Sequence, residues 1–348
     1  MDHDKVTEFI GQVTTDLAAT GAAGTVVVGQ RLGLYRELAK GPATPEQFAA
    51  RTGYAPRYLT EWLRTQAAGG YVSYDPGTGQ FSLTEEQAFC LADPDGPNVP
   101  AAFLIALGML RAEPRVTEAF RTGAGIGWHE QEEDVFVGCD AFFRPGYAAE
   151  LVPHWIPAMA GMDEKLTAGA RVADIGCGLG SSVILLAAAY PRTRVVGVDY
   201  HTESIALARK RAAEAGAGDR VSFEVATAQE FSGTGYDLVT MFDCLHDMGD
   251  PLGAAKRVRQ ALAPDGAWLL VEPNASDRLE ENFHPVGRLY YSSSTFLCVA
   301  NALSQPVGHA LGAQAGEAAI RQLAAEAGFT RFRRLAQTPV NLVYEIRP

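Results

Sequence analysis

The chain has 348 residues, 47% of them hydrophobic and 20% charged, which is enough to bury a large core and to form two domains. No run approaches the ~18 consecutive apolar residues of a membrane span, and the opening MDHDKVTEFIGQ has neither the basic start nor the apolar core of a signal peptide. A net charge of −12 opposes the phosphate backbone, and five cysteines with no Cys-x-x-Cys pair argue against a disulfide framework or a structural zinc site. The expectation is a cytoplasmic protein with a small-molecule partner and neither nucleic acid nor membrane as partner.

Helical spacing starts in TVVVGQRLGLYRELAK and stops at Gly41-Pro42. TPEQFAARTG predicts a helix with Thr44 as N-cap, Pro45 at its first position and Gln47 completing a capping box. APRYLTEWLRTQAAGG predicts a second helix ending at Gly69-Gly70, and YVSYDPGTGQFSLT predicts a hairpin around Asp75-Pro76-Gly77. Two short helices followed by a hairpin describe a winged helix, readable as a DNA-binding or a dimerisation module. The second helix offers only Arg57 and Arg64 as cations and also carries Glu61, in an acidic chain, which counts against DNA.

Residues 101–165 predict a mainly helical connector after a domain at 1–100. It is rich in aromatic residues, and Trp128, Phe142, Phe143, Tyr147 and Trp155 are candidates to wall a cleft. From residue 166 strands alternate with helices. ARVADIG, RVVGVDY, RVSFEVAT, YDLVTMFD and AWLLVEP are the strands, SSVILLAAAY, SIALARKRAAEAG and LGAAKRVRQAL the helices, and TRFRRLAQTPVNLVYEIRP ends the chain with two more strands. Strands apolar on both faces predict an α/β fold with a doubly wound, mostly parallel, seven-stranded sheet.

VADIGCGLGSS carries the most chemistry. A strand ends at Asp174, then Gly176, Gly178 and Gly180 allow a tight turn on which a ligand can lie, and Ser181-Ser182 open a helix. The G-x-G-x-G spacing differs from the G-x-G-x-x-G of nicotinamide and flavin enzymes. Asp199 ends the second strand nineteen positions after Gly180, where a carboxylate can hold both hydroxyls of a ribose.

On DIGCGLG, the acid of VVGVDY and the YDLV strand, residues 166–348 resemble class I S-adenosylmethionine-dependent methyltransferases. With LHDMGDP, VEP and the winged-helix module, the whole chain resembles small-molecule methyltransferases that dimerise through that module. The resemblance implies S-adenosyl-L-methionine as cofactor and a homodimer. It implies that Asp174, Gly176, Gly178 and Gly180 surround the amino-acid part of the cofactor, that Asp199 binds ribose, and that Tyr200, Thr227 and Ala228 meet the adenine. Many members have Asp at the position of Thr227, whose hydroxyl can still hydrogen-bond N6.

The fourth strand ends near Asp243, at the sheet edge where ligands of open α/β folds bind, so Asp243 and the LHDM that follows border the site. Methyl transfer to oxygen or to an acidic carbon requires removal of a proton. A histidine with an ordinary pKa near 6.5 suits that task, which makes His246 the candidate base and Asp247 or Glu272 its candidate orienter. The loop also resembles the HDW loop of plant phenol O-methyltransferases, with Met248 in place of Trp. No metal is expected. The alternative, from α-keto-acid C-methyltransferases of the same architecture, is an ion on His246 with His284 or Cys298, both in an insertion at about 274–315. Trp128, Phe143, Tyr147, Arg288 and Tyr291 are candidate acceptor contacts. A reading from another class is a winged-helix regulator that senses a small ligand.

Overall fold

The computed structural model describes residues 1–348. The chain divides into two compact units, Met1–Gly108 with Val137–Pro145, and Met109–Phe136 with Gly146–Pro348. The predicted connector is thus shared between them. No helix is long and apolar enough to cross a membrane.

The first unit opens with a helix that the sequence reading does not extend before Val26. Helix α1 runs from His3 to Arg31, capped by the Asp2 carboxylate on the Asp4 and Lys5 amides. Gly11, Gly21 and Gly24 and several threonines lower its intrinsic helix propensity. Its C-terminal part buries Val26 and Val27 and is tied to the helix Pro56–Ala68, because Trp62 Nε1 donates to the Thr25 carbonyl (2.8 Å) and Gln66 Nε2 to the Thr25 hydroxyl (2.8 Å). The predicted capping box forms at the helix Pro45–Thr52, with Thr44 and Gln47 bonded reciprocally. The hairpin follows as strands β1 (Ser73–Asp75) and β2 (Gln80–Ser82), its turn held by Asp75 accepting from the Gly77 amide (2.8 Å). Arg57 and Arg64 both pair with Glu61, so the cations of the second winged-helix helix are partly neutralised in place.

The second unit is built on strands β3 (Arg171–Ile175), β4 (Arg194–Asp199), β5 (Val221–Val225), β6 (Tyr236–Phe242), β7 (Leu262–Pro273), β8 (Arg331–Gln337) and β9 (Asn341–Arg347). Their order is β5-β4-β3-β6-β7-β9-β8, and all neighbours are parallel except β9, which runs antiparallel to both β7 and β8. Side chains alternate between two buried faces, as the strand period requires. Ala173, Met241, Trp268, Leu270 and Tyr344 belong to one core, and Val172, Leu238, Leu269, Val271 and Val343 to the other. Because β4 and β6 flank β3 on opposite sides, the order reverses at β3, and the carboxyl ends of these strands open a crevice there. After β7 the predicted insertion forms a long helix. It is α-helical over Pro285–Ser293, passes through a π turn at Ser294–Cys298, and is α-helical again over Val299–Ser304.

Candidate active site

The glycine turn follows β3. Asp174 is buried, accepting from the Ser182 hydroxyl at one oxygen and from Thr240 of β6 (2.7 Å) at the other. Burial pushes its pKa up to about 6 despite these bonds. The carboxylate thus faces inward and braces the turn from behind rather than presenting an oxygen at its surface. Gly176 has φ 73°, and a Cβ there would come within 2.7 Å of Cys244 Sγ. Gly178 has φ 50° and nothing within 4 Å of the position a Cβ would take, so open space lies directly against its backbone.

Asp199, half-buried at the end of β4, accepts from the Gly178 amide (2.9 Å) and the His201 amide (2.9 Å), one bond to each oxygen. Each oxygen keeps a further lone pair. Tyr200 is 37% exposed, and its hydroxyl donates to Asn301 Oδ1 (3.2 Å). Ala228 is buried, whereas Thr227 is exposed and its hydroxyl donates to Glu230 (3.2 Å) in this state.

Asp243, just past β6, has φ 50°, a conformation that Asn and Asp tolerate better than other residues with a Cβ. It accepts from Tyr147 Oη (3.1 Å) and Asn341 Nδ2 (2.6 Å), and burial, reinforced by the nearby Glu272, pushes its pKa up to about 7. His246 follows in a single 3-10 turn, Leu245–Asp247, and is 4% exposed. Its Nδ1 lies 2.7 Å from Glu272 Oε2, and the other Glu272 oxygen accepts from the Leu245 amide (3.1 Å). Its Nε2 lies 3.2 Å from Asp247 Oδ1, an atom with no hydrogen-bond partner. Burial alone would lower the His246 pKa. Asp247 and Glu272 outweigh it and hold the ring well above the usual histidine range.

Cys298, on the π turn of the insertion, completes a cluster: the donor atoms of His246, Asp247 and Cys298 all lie within 4.8 Å of one another. His284 is not part of it. Its Nδ1 accepts from the Gly287 amide (3.2 Å), where it caps the helix Pro285–Ser293. The ligand grouping expected from the sequence is therefore altered, with Asp247 in place of His284, because helix capping already occupies that imidazole. Burial pushes the Cys298 thiol up to about 12.

The candidate acceptor residues fall into separate groups. Tyr147 reaches Asp243, and its ring packs on Phe242 (4.9 Å). Trp128 packs on Phe136 (5.3 Å) and its amide donates to Asn301 Oδ1 (2.9 Å). Arg288 and Tyr291 line an open groove with Phe283 and Leu289. Phe143 belongs to the first unit and packs edge-on against Phe142 (5.1 Å), and Trp155 is buried in the core. The sequence reading missed Asn301, Gln305 and Asn341. Asn341 carried one signal, a polar residue entering the otherwise apolar strand NLVY, whereas Asn301 and Gln305 carried none.

This fold and site define a methyltransferase domain behind a winged-helix domain. Residues 166–328 match the methyltransferase-domain family, and residues 20–93 match the Rv2258c-like winged helix-turn-helix family. These two matches give the chain a methyltransferase-family domain preceded in sequence by a winged helix-turn-helix-family domain. It is 36% identical over 114 residues to 27-O-demethylrifamycin SV methyltransferase of Amycolatopsis mediterranei, covering 32% of this chain and 41% of that protein. It is 33% identical over 163 residues to a ubiquinone biosynthesis O-methyltransferase of Aromatoleum aromaticum, covering 45% of this chain and 61% of that one. The alignments thus span between two fifths and three fifths of these curated relatives. Among solved structures, mitomycin 7-O-methyltransferase MmcR superposes over 100% of both chains with a TM-score of 0.71 at 21% identity.

Proposed function

We propose that the protein transfers the methyl group of S-adenosylmethionine to an oxygen or an acidic carbon of a small-molecule acceptor, with His246 taking up the acceptor's proton. The observation that carries this reading is the convergence of three groups at the carboxyl ends of neighbouring strands: the open glycine turn, the Asp199 carboxylate and the His246–Glu272 pair. The rifamycin and ubiquinone relatives, whose names place the methyl on oxygen, favour oxygen as the acceptor atom.

The residues fit the cofactor. Gly178 leaves backbone uncovered where a Cβ would stand, and Asp199 retains lone pairs for ribose hydroxyls while anchored to that same glycine. When bound, S-adenosylmethionine supplies an electrophilic methyl: the acceptor's lone pair bonds to that carbon, the C–S bond breaks, and its electrons stay on sulfur. Because the two carboxylates raise the ring's pKa, the neutral form that can accept a proton is a fraction that grows as pH rises; in that form Glu272 accepts from Nδ1–H of His246 and selects the tautomer whose Nε2 is free to receive it. Asp247 Oδ1, 3.2 Å from Nε2 and otherwise unpartnered, stabilises the imidazolium that results. Burial of His246 and Glu272 strengthens these interactions by excluding water.

A second reading rests on one observation, the cluster of His246, Asp247 and Cys298 with Glu272 behind the imidazole. A carboxylate on the far nitrogen is the usual support of a metal-bound histidine. A divalent ion there would acidify the acceptor. Elemental analysis of the purified protein, and cobalt titration read by thiolate-to-metal absorption, separate the two: neither bound metal nor a cobalt band leaves His246 as a metal-free base.

The functional unit in this reading is a cytoplasmic homodimer joined through the first unit. All five cysteines are free thiols, as a reducing compartment would keep them. Val6, Phe9, Ile10, Val13 and Leu17 form an exposed apolar stripe along α1. The cofactor assignment is tested by titration calorimetry with S-adenosylhomocysteine. Binding is expected in the wild type and lost in Asp199→Ala, and undiminished binding in the variant would remove Asp199 from the site.

A further inference from the structure

The insertion helix reaches the loop that carries His246 through two side chains. Asn301 is buried (5% exposed) and is bonded at both ends of its amide. Its Oδ1 accepts from the Trp128 amide (2.9 Å) and from the Tyr200 hydroxyl (3.2 Å), while its Nδ2 donates to the Asp247 carbonyl (3.0 Å). The orientation of this amide is unambiguous, because a backbone N–H can only donate and a backbone carbonyl can only accept. One side chain therefore joins the residue after Asp199 to the loop that carries His246. Gln305, one helical turn further along, grips the same loop and also donates to the Asn301 carbonyl (3.3 Å). Its Nε2 donates to the Asp247 carbonyl (3.2 Å), and its Oε1 accepts from the Gly249 amide (3.0 Å), without touching Tyr200.

We propose that Asn301 is a positioning residue that couples occupation of the cofactor site, felt at Tyr200, to the placement of His246. The inference rests on the cofactor reading given above. A ligand that orders Tyr200 fixes one acceptor lone pair of Asn301, and thereby the amide plane from which the Asp247 carbonyl hangs. Asp247 is the last residue of the turn that holds the His246 ring, so its peptide sets where Nε2 points. Coupling of this kind needs a physical connection between the two sites, and the Tyr200–Asn301–Asp247 path supplies one of two bonds.

Three variants of the full-length protein separate coupling from simple support. Asn301→Asp keeps the acceptor toward Trp128 and Tyr200 but removes the donor to the Asp247 carbonyl. Tyr200→Phe removes the bond on the cofactor side and leaves the Asp247 bond intact. Gln305→Leu loosens the same loop at the Asp247 carbonyl and the Gly249 amide but leaves both bonds of the path, Tyr200–Asn301 and Asn301–Asp247, in place. With 15N-histidine labelling and S-adenosylhomocysteine as probe, saturation is expected to displace the His246 ring-nitrogen resonances in the wild type and in Gln305→Leu. In Asn301→Asp and Tyr200→Phe that displacement should fall by half or more, while the ligand still binds within about tenfold of wild type by calorimetry. Full displacement in both path variants would overturn the proposal, as would its equal loss in Gln305→Leu or its absence in wild-type protein that binds the ligand. If Asn301→Asp does not fold, Tyr200→Phe decides alone. Failure of the cofactor reading has a different signature, no heat of binding in the wild type.

Discussion

His246 lies between two carboxylates, and the direction of its proton equilibrium follows from that position. Its pKa is raised because Asp247 and Glu272 together overcome the burial that would otherwise favour the neutral ring. Removing either carboxylate should lower it. In a 15N titration the wild-type midpoint is expected above 6.5, and Glu272→Gln and Asp247→Asn should each shift it to lower pH; a midpoint that stays put in both would mean that neither ion pair governs the ring. The same shift acts on stability. A group whose folded pKa is raised contributes stabilisation that is complete below its unfolded pKa and is lost as pH rises through the folded value. For His246 that loss begins above pH 6.5. Asp243, raised from 3.8 to about 7, acts in the same direction at lower pH, because between those values the folded protein keeps a proton that the unfolded chain has released. Thermal stability should therefore fall as pH rises from 5 to 8. Asp243→Asn should flatten that fall by on the order of a few kcal/mol while tolerating the positive φ. An unchanged slope in differential scanning calorimetry would show that Asp243 does not titrate in this range.

At the scale of elements, the glycine turn was legible because its requirements are local. A strand, three glycines and a helix start within eleven residues specify a backbone that leaves room for a ligand whatever surrounds it. Gly178 tests this. In Gly178→Ala the methyl meets no protein atom, so the fold should survive with a cost of about 1–2 kcal/mol for a left-handed residue with a Cβ. The same methyl stands where the ligand would lie, so affinity for S-adenosylhomocysteine should fall at least about tenfold. Unaltered affinity with an unaltered melting temperature would mean that nothing lies against this turn. The insertion was legible only as a segment. That the chain passes through a π turn at Ser294–Cys298, and so brings Cys298, Asn301 and Gln305 to the His246 loop, depends on what the helix packs against. Its polar residues follow no motif. The start of α1 was missed for the opposite reason: its apolar residues do recur at helical spacing, but glycine and threonine mask the propensity, and nothing within the chain buries that stripe.

For the whole molecule, the exposed α1 stripe is the feature that a single chain leaves unsatisfied. Phe9 and Leu17 are 64% and 66% exposed, and on a helix they share a face with Ile10 and Val13. Phe9→Glu with Leu17→Glu is expected to convert the proposed dimer to a monomer in sedimentation velocity, leaving the second unit able to bind S-adenosylhomocysteine; a wild-type monomer at the same concentration would remove the dimer from this account. The sequence by itself determined the fold class, the parallel sheet and the glycine turn with its acid, because period, apolar runs and glycine spacing are properties of neighbouring residues. It also placed His246 and Glu272 at the same sheet edge. Only the tertiary structure decided which carboxylate meets which imidazole nitrogen, that His284 caps a helix while Asp247 joins Cys298 beside His246, and that Asn301 links Tyr200 to the His246 loop. The Glu272, Cys298 and Asn301 contacts join segments distant in the chain, and the local ones at His284 and Asp247 depend on side-chain direction; no local pattern encodes either.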